Sequence, residues 1–311
     1  MIQLISEAAA FLAGKIRRTP VEYSTSLSNL LGVPVWLKLE SLQLTGSFKI
    51  RGALFAMSKL NAPVITCSAG NHGKAVAYAA RGATICVPRS VDKSKLDAMV
   101  AMGADVRVSE FDGYDETQDW ALEMAAREKK YFLSPFDDDA VMAANGGTVA
   151  MEVLEDAPDA RTFILPVGGG GLAAGFAGWA KHFLRDSTII GCQHVLSPAL
   201  RMSLDAGHAI TRLPAVETMA GGVEGGIGAR TFAVLQPLID QVALVTEAEI
   251  LDGVRWMIAH HRYLIEPTAA VPIAACISGK IRATEPVVVV VSGRNVSSEN
   301  IKKIFCGIPA C

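Results

Sequence analysis

Lys49 and Arg51 fall in the first turn of a helical pattern that runs from about residue 48 to residue 60, and that turn holds no acid. A helix start carries partial positive charge and favours carboxylates there, by roughly 0.3–1 kcal/mol per charge. A lysine at such a place is pushed toward its neutral form, which suits a nucleophile or a base. The preceding Leu44-Thr45-Gly46-Ser47 reads as a loop ending in a helix cap. A second loop, Ser68-Ala69-Gly70-Asn71-His72-Gly73, is small and rich in backbone donors as it enters a helix. It suits a carboxylate or a ring hydroxyl, and a plain structural turn fits it equally well. In a third, Gly168, Gly169, Gly170 and Gly171 precede a helix that opens at Leu172. Consecutive glycines let several N–H groups converge at a helix start, which makes a phosphate cradle. The fourth, Ser292-Gly293-Arg294-Asn295, follows an aliphatic run. A serine in that position serves as a turn former or presents its hydroxyl to a ligand.

The glycine run also competes as a dinucleotide fingerprint, since Gly169-x-Gly171-x-x-Ala174 nearly fits one. A nicotinamide site wants a carboxylate at the end of the next strand to hold the ribose. That strand ends Cys192-Gln193-His194, and no carboxylate appears between Asp186 and Asp205. The glycines therefore favour a single phosphate.

These loops need a scaffold that presents them together. Strand-like runs at 35–39, 64–67, 83–87, 105–108, 161–165, 188–192, 241–245 and 286–292 alternate with helical patterns at 93–102, 116–129, 140–155, 171–184 and 247–260. Such alternation predicts βαβ units and two open, twisted, mostly parallel sheets flanked by helices, an α/β fold. Ligands then bind beyond the carboxyl ends of the strands. Pro135 and Asp137-Asp138-Asp139 mark a crossing between a large domain (1–62 and 138–311) and a small one (63–137), with the aspartates read as a solvated helix cap.

Half of the 311 residues are apolar and aromatics are few, so the core should be aliphatic. A net charge of -2 and the lack of a basic, aromatic-laced stripe argue against nucleic acid as a partner. The uncharged run 162–180 contains six glycines and Pro166, which breaks it into strand, turn and helix and argues against a membrane span. Six cysteines without a C-x-x-C pair fit free thiols in a reducing cytoplasm, and no signal peptide is visible.

Together the four loops resemble the fold type II pyridoxal-phosphate enzymes, in particular their serine/threonine dehydratase-like branch, which includes serine racemases. Thr45 to Ala53 resembles that branch's cofactor-lysine motif, Ser68 to Gly73 its asparagine loop, Gly168 to Gly171 its phosphate loop and Ser292-Gly293-x-Asn295 its pyridine-nitrogen motif. Leu264-Ile265-Glu266-Pro267-Thr268-Ala269 is similar to a further stretch beside the cofactor, and the matches occur in family order. The resemblance implies pyridoxal 5'-phosphate held on Lys49 as a Schiff base, with Lys49 then acting as base at Cα. It places Phe48, Asn71, Gly168, Gly169, Gly170, Gly171, Leu172, Glu266 and Ser292 around the cofactor. Ser68, Ala69, Gly70, Asn71 and His72 would take the substrate carboxylate. A plain core role suits Phe48 equally, and a structural pairing suits Glu266 equally.

A serine hydroxyl is too weak an acid to protonate a pyridine, so the ring would be a modest electron sink that favours prompt loss of a β-substituent. The reaction implied is β-elimination from a β-hydroxy amino acid such as L-threonine or L-serine, giving a 2-oxo acid and ammonia. 3-Hydroxyaspartate and phenylserine stand as alternative substrates, with Arg294 where relatives often have glycine. Serine racemases carry a second base at the position of Ala69, and alanine there disfavours racemisation. Val195 and Gly221 stand where cation-activated relatives place carboxylates, so no metal is expected, with Glu217 and Glu224 as the nearby acids. The short tail after Ser292 suggests a catabolic enzyme without a regulatory domain, and the family suggests a homodimer. Two connections look short for the family, the eighteen residues between Lys49 and Ser68 and the Arg81-Gly82 turn.

Overall fold

A computed structural model describes residues 1–68 and 70–306. Its strands, in chain order, are β1 (Val21–Tyr23), β2 (Val35–Lys38), β3 (Val64–Cys67), β4 (Thr84–Val87), β5 (Asp105–Val108), β6 (Tyr131–Phe132), β7 (Thr162–Pro166), β8 (Thr188–His194), β9 (Gln241–Val245) and β10 (Val287–Val290). They form a six-stranded sheet in the order β1-β2-β10-β7-β8-β9 and a four-stranded sheet in the order β5-β4-β3-β6. Among the strands of the described residues, only β1 runs antiparallel, pairing Val21 with Lys38; the other strand pairings are parallel. All four valines of β10 are fully buried, as expected of a central strand covered on both faces.

The strand order does the positioning. β2, β10 and β7 are neighbours, so their carboxyl ends deliver the lysine loop, Ser292 and the glycine run side by side. The Ser68 loop comes from the end of β3, an interior strand of the smaller sheet. The Arg81-Gly82 turn is closed by Ala83 N–H on the Ala80 carbonyl at 3.3 Å, with Gly82 at φ 78° and its N–H on the Gly103 carbonyl at 2.8 Å.

β1 and β6, of three and two residues, carry too little pattern to be read from sequence. The helix expected over 140–155 is interrupted: Asp139–Met142 and Thr148–Asp156 flank a π-helical turn, Ala143–Gly147. Backbone crowding accompanies the bulge. A Cβ on Gly146 would lie 2.0 Å from the Leu172 carbonyl oxygen, and one on Gly175 2.0 Å from that of Met142.

The helix that carries Lys49 spans Lys49–Ser58, and its N-cap is Phe48. The cap expected at Ser47 is not formed. Ser47 instead bridges to Gly293, and its buried hydroxyl has no hydrogen-bond partner. Asn145, from the π-helical turn, supplies the acceptor from outside: its Oδ1 takes the Gly52 N–H at 2.7 Å.

Arg51 is also corrected by the fold. Fully buried, it donates to Glu40 at 2.8 and 2.9 Å, to Glu152 at 2.7 and 2.9 Å and to Thr148 Oγ1 at 3.1 Å. Lys38 Nζ joins from β2, reaching Glu152 at 2.5 Å and the Thr19 carbonyl at 2.7 Å. Two cations thus face two carboxylates beneath the helix. Burial pushes the Glu40 carboxyl up, and the charge and hydrogen bonds of Arg51, with Lys38 and Thr19, overcome it and hold the group below the usual range. The first-turn misfit belongs to Lys49 alone.

Candidate active site

The four loops meet around Lys49. Phe48 N–H reaches the Ser292 carbonyl at 3.3 Å, and Arg294 N–H reaches that of Gly46 at 2.9 Å. Gly46 must be glycine: its φ is +79°, and a Cβ there would lie 2.6 Å from Asn295 Oδ1. Asn71, at the start of helix Asn71–Ala79, donates from Nδ2 to Glu266 Oε1 at 2.6 Å and accepts at Oδ1 from Asn295 Nδ2 at 2.6 Å. Asn295 N–H reaches Glu266 Oε2 at 3.0 Å. Glu266 itself precedes helix Pro267–Ile277, whose Thr268 hydroxyl accepts from Gly222 N–H at 3.0 Å.

The glycine run opens helix Gly171–Phe183, with Gly170 at φ 92° and no side chain capping the first turn. Its leading N–H groups therefore have no intrahelical acceptors. The segment 135–136 connects this run to the lysine. Lys49 Nζ donates to the Pro135 carbonyl at 2.7 Å, and a Cβ on Gly169 would lie 2.3 Å from the Phe136 ring. Pro135 and Phe136 were visible in the sequence only as part of a crossing, because nothing in their type signals a site. Thr231 Oγ1 braces the run by donating to the Gly169 carbonyl at 2.7 Å.

Burial lowers the Lys49 ammonium to about 8, against the opposing charge of Glu266. Desolvation is thus the first cause of the shift anticipated from the helix start. Burial, aided by the Lys49 charge and opposed by the Leu133 backbone, takes His72 down to about 3, so its ring is neutral; it is 2% exposed. A neutral His72 ring brings no positive charge to a substrate carboxylate. Burial raises the Glu266 carboxyl, opposed by the hydrogen bonds from Asn71 and Asn295 and then by the charges of Lys95 and Lys74.

Phe48 is 8% exposed and packs in the main core cluster, with the Lys49 ammonium 5.2 Å from its ring centre. Leu172 is buried in the same cluster. Ser68 Oγ accepts from Gly70 N–H at 3.2 Å, and Ala69 lies outside the described residues. Asp138 caps the helix that follows through Val141 N–H, whereas Asp137 accepts from Thr231 N–H and Asp139 pairs with Arg230. A cavity of about 400 Å³ among Lys59, Tyr131, these aspartates and Arg230 excludes Lys49. Its polar groups are already engaged: Tyr131 donates to Asp138, Arg230 pairs with Asp139 and Lys59 pairs with Glu7. Glu224 is engaged by Val216 N–H at 3.1 Å, and Val195 and Gly221 bring no carboxylate.

A half-buried amine of lowered pKa, a bare helix start and a buried hydroxyl are what a carbonyl cofactor with a phosphate and a basic ring nitrogen requires. Residues 12–293 match the family described as pyridoxal-phosphate dependent enzyme, and the chain belongs to it. Among relatives, an L-threonine ammonia-lyase of Geobacter sulfurreducens is 36% identical over 97% of this chain and 77% of its own. Threonine deaminase isoform 2 of Solanum lycopersicum, in its processed form, superposes with a TM-score of 0.89 at 33% identity, over 97% of this chain and 86% of that one. Maize serine racemase does so with 0.91 at 30%, over 97% and 95%. The site fits the family's cofactor on two counts. Ser292 Oγ is 1% exposed without a partner, and the glycine run is a cradle that side chains would fill.

One consequence can be measured. Glu266→Gln removes the charge that holds the Lys49 ammonium up, so burial should lower it below about 8. Capture of pyridoxal phosphate by the apoprotein, followed by absorbance against pH, should then have its midpoint at a lower pH than in the parent. An unmoved midpoint would show that Glu266 does not act on Lys49.

Proposed function

We propose that this protein is a lyase that converts L-threonine or L-serine to a 2-oxo acid and ammonia by β-elimination. Pyridoxal phosphate, when bound, supplies the conjugated ring that takes up the electron pair left at Cα. Lys49 would hold it and, once free, carry the proton at Cα. The N–H groups opening helix Gly171–Phe183 would bind the phosphate, and those opening helix Asn71–Ala79 the substrate carboxylate. Asn71 would donate to the ring oxygen. Ser292 Oγ would donate to the ring nitrogen and leave it unprotonated, which favours loss of the β-hydroxyl over slower carbanion chemistry.

Elimination is favoured over inversion because residues 68, 69 and 72 offer Lys49 no effective counterpart base. Residue 69 carries a methyl group, Ser68 Oγ is engaged by Gly70, and His72 at a pKa of about 3 is too weak a base. The test is incubation of the loaded enzyme with L-threonine, L-serine and D-serine, assaying 2-oxo acid and chirality. Keto acid from an L-substrate is expected, and chiral inversion without keto acid would overturn the lyase assignment.

We further propose a cytoplasmic homodimer with the division 1–62 and 138–311 against 63–137. Four cysteines, Cys67, Cys86, Cys192 and Cys276, are free and buried, as in a reducing compartment, and no helix among the described residues is long and apolar enough to cross a membrane. Light scattering would check the dimer.

A further inference from the structure

Lys74 stands one turn into helix Asn71–Ala79, half-buried, and donates from Nζ to Asn295 Oδ1 at 2.8 Å. An ammonium can only donate, so the Asn295 oxygen must face it. The Asn295 amide nitrogen must then turn the other way. It donates to the Thr45 carbonyl, which can only accept, at 2.8 Å and to Asn71 Oδ1 at 2.6 Å. With its oxygen so occupied, Asn71 presents its nitrogen to Glu266 Oε1 at 2.6 Å and keeps one N–H for a ligand. The other oxygen of Glu266, Oε2, is held by Asn295 N–H at 3.0 Å, so the carboxylate is anchored on both sides. The hydrogen bonds thus run in one direction, Lys74 to Asn295 to Asn71 to Glu266.

We infer that Lys74 is a positioning residue for the cofactor: together with the Thr45 carbonyl it orients Asn295, and through Asn295 it holds Asn71 with a donor, not an acceptor, toward the ring oxygen. This rests on the cofactor placement proposed above. A donor at that point favours the ring phenolate over the neutral phenol. The charge at the head of the chain also polarises each bond after it.

The experiment uses apoprotein reconstituted with pyridoxal phosphate, reading cofactor affinity and visible absorption at fixed pH. Lys74→Met should weaken cofactor binding by about tenfold, the loss expected for a charge-assisted hydrogen bond. It should also move absorbance from the phenolate band toward the neutral-phenol band. Lys74→Arg retains donor and charge and should return both readouts to those of the parent. Asn295→Asp keeps the contact with Lys74 and deletes the donor to Asn71, so it should reproduce the Lys74→Met spectrum. A merely structural lysine would lower Tm and leave the band in place. Parental affinity and spectrum in Lys74→Met overturn the inference, and if that variant does not fold, a parental spectrum in Asn295→Asp does so. A parent protein that forms no imine with the cofactor fails at the earlier step and takes this inference down with it.

Discussion

Lys49→Ala is expected to lower kcat/KM for 2-oxo acid formation by about 10³–10⁴-fold, the range set by loss of a positioned base and covalent anchor. That corresponds to about 4–5.5 kcal/mol of transition-state stabilisation. Its half-buried amine donates to the Pro135 carbonyl and faces no paired carboxylate at hydrogen-bond distance among the described residues, so the folded state gains little from its charge. The variant should therefore unfold at a Tm no lower than the parent's. Borohydride reduction of the loaded parent, followed by peptide mapping, should label Lys49, and the variant should take no label. Turnover near the parental rate, or a label elsewhere, would refute the assignment.

Arg51→Met should do the reverse, with about 3–5 kcal/mol of stability lost because a buried carboxylate is left without its partner. Glu40 is the group stranded, with a side-chain exposure of 0%, whereas Glu152 keeps Lys38 at 2.5 Å. The pH dependence gives a sharper check. In the parent, Glu40 sits below its usual range. Its contribution is therefore complete above the unfolded value of about 4.3 and lost as pH falls through the folded one. Without Arg51, burial dominates and raises the group, so the variant should gain stability as pH falls toward that value. Denaturant midpoints measured between mildly acidic and neutral pH should therefore carry no slope from this group in the parent and rise toward acid in the variant. Adding Glu40→Gln should recover part of the loss, and strict additivity of the two changes would show that they do not interact.

The alternation of aliphatic runs and amphipathic stretches was enough to place β3, β5 and β9 to the residue, because turn-forming residues bound each run. It was not enough for β1 or β6, whose existence depends on an edge partner and not on a pattern of their own. The site loops were legible because a lysine, an asparagine, a glycine run and a serine each follow a strand. What escaped was long-range pairing. Arg51 looks like a second misplaced cation until Glu40 and Glu152, far apart in the chain, are folded against it. Ser47 looks like a cap until its backbone is committed to Gly293. Pro135 contributes a carbonyl, which every residue has, so no composition or spacing could mark it. Asn295 was visible as a motif letter, but its two-sided grip on Asn71 and Lys74 exists only in three dimensions.

The backbone crowding where Gly146 and Gly175 meet has a consequence for how mutational tolerance is interpreted. Each glycine leaves a neighbouring carbonyl oxygen about where its missing side chain would be, 2.0 Å away in both cases. Even alanine would force two helices apart, one of which starts with the glycine run and the other of which leads into the turn that supplies Asn145. In a survey that ranks positions by intolerance alone, these two would stand beside Lys49, although neither bears a group that can bind or react.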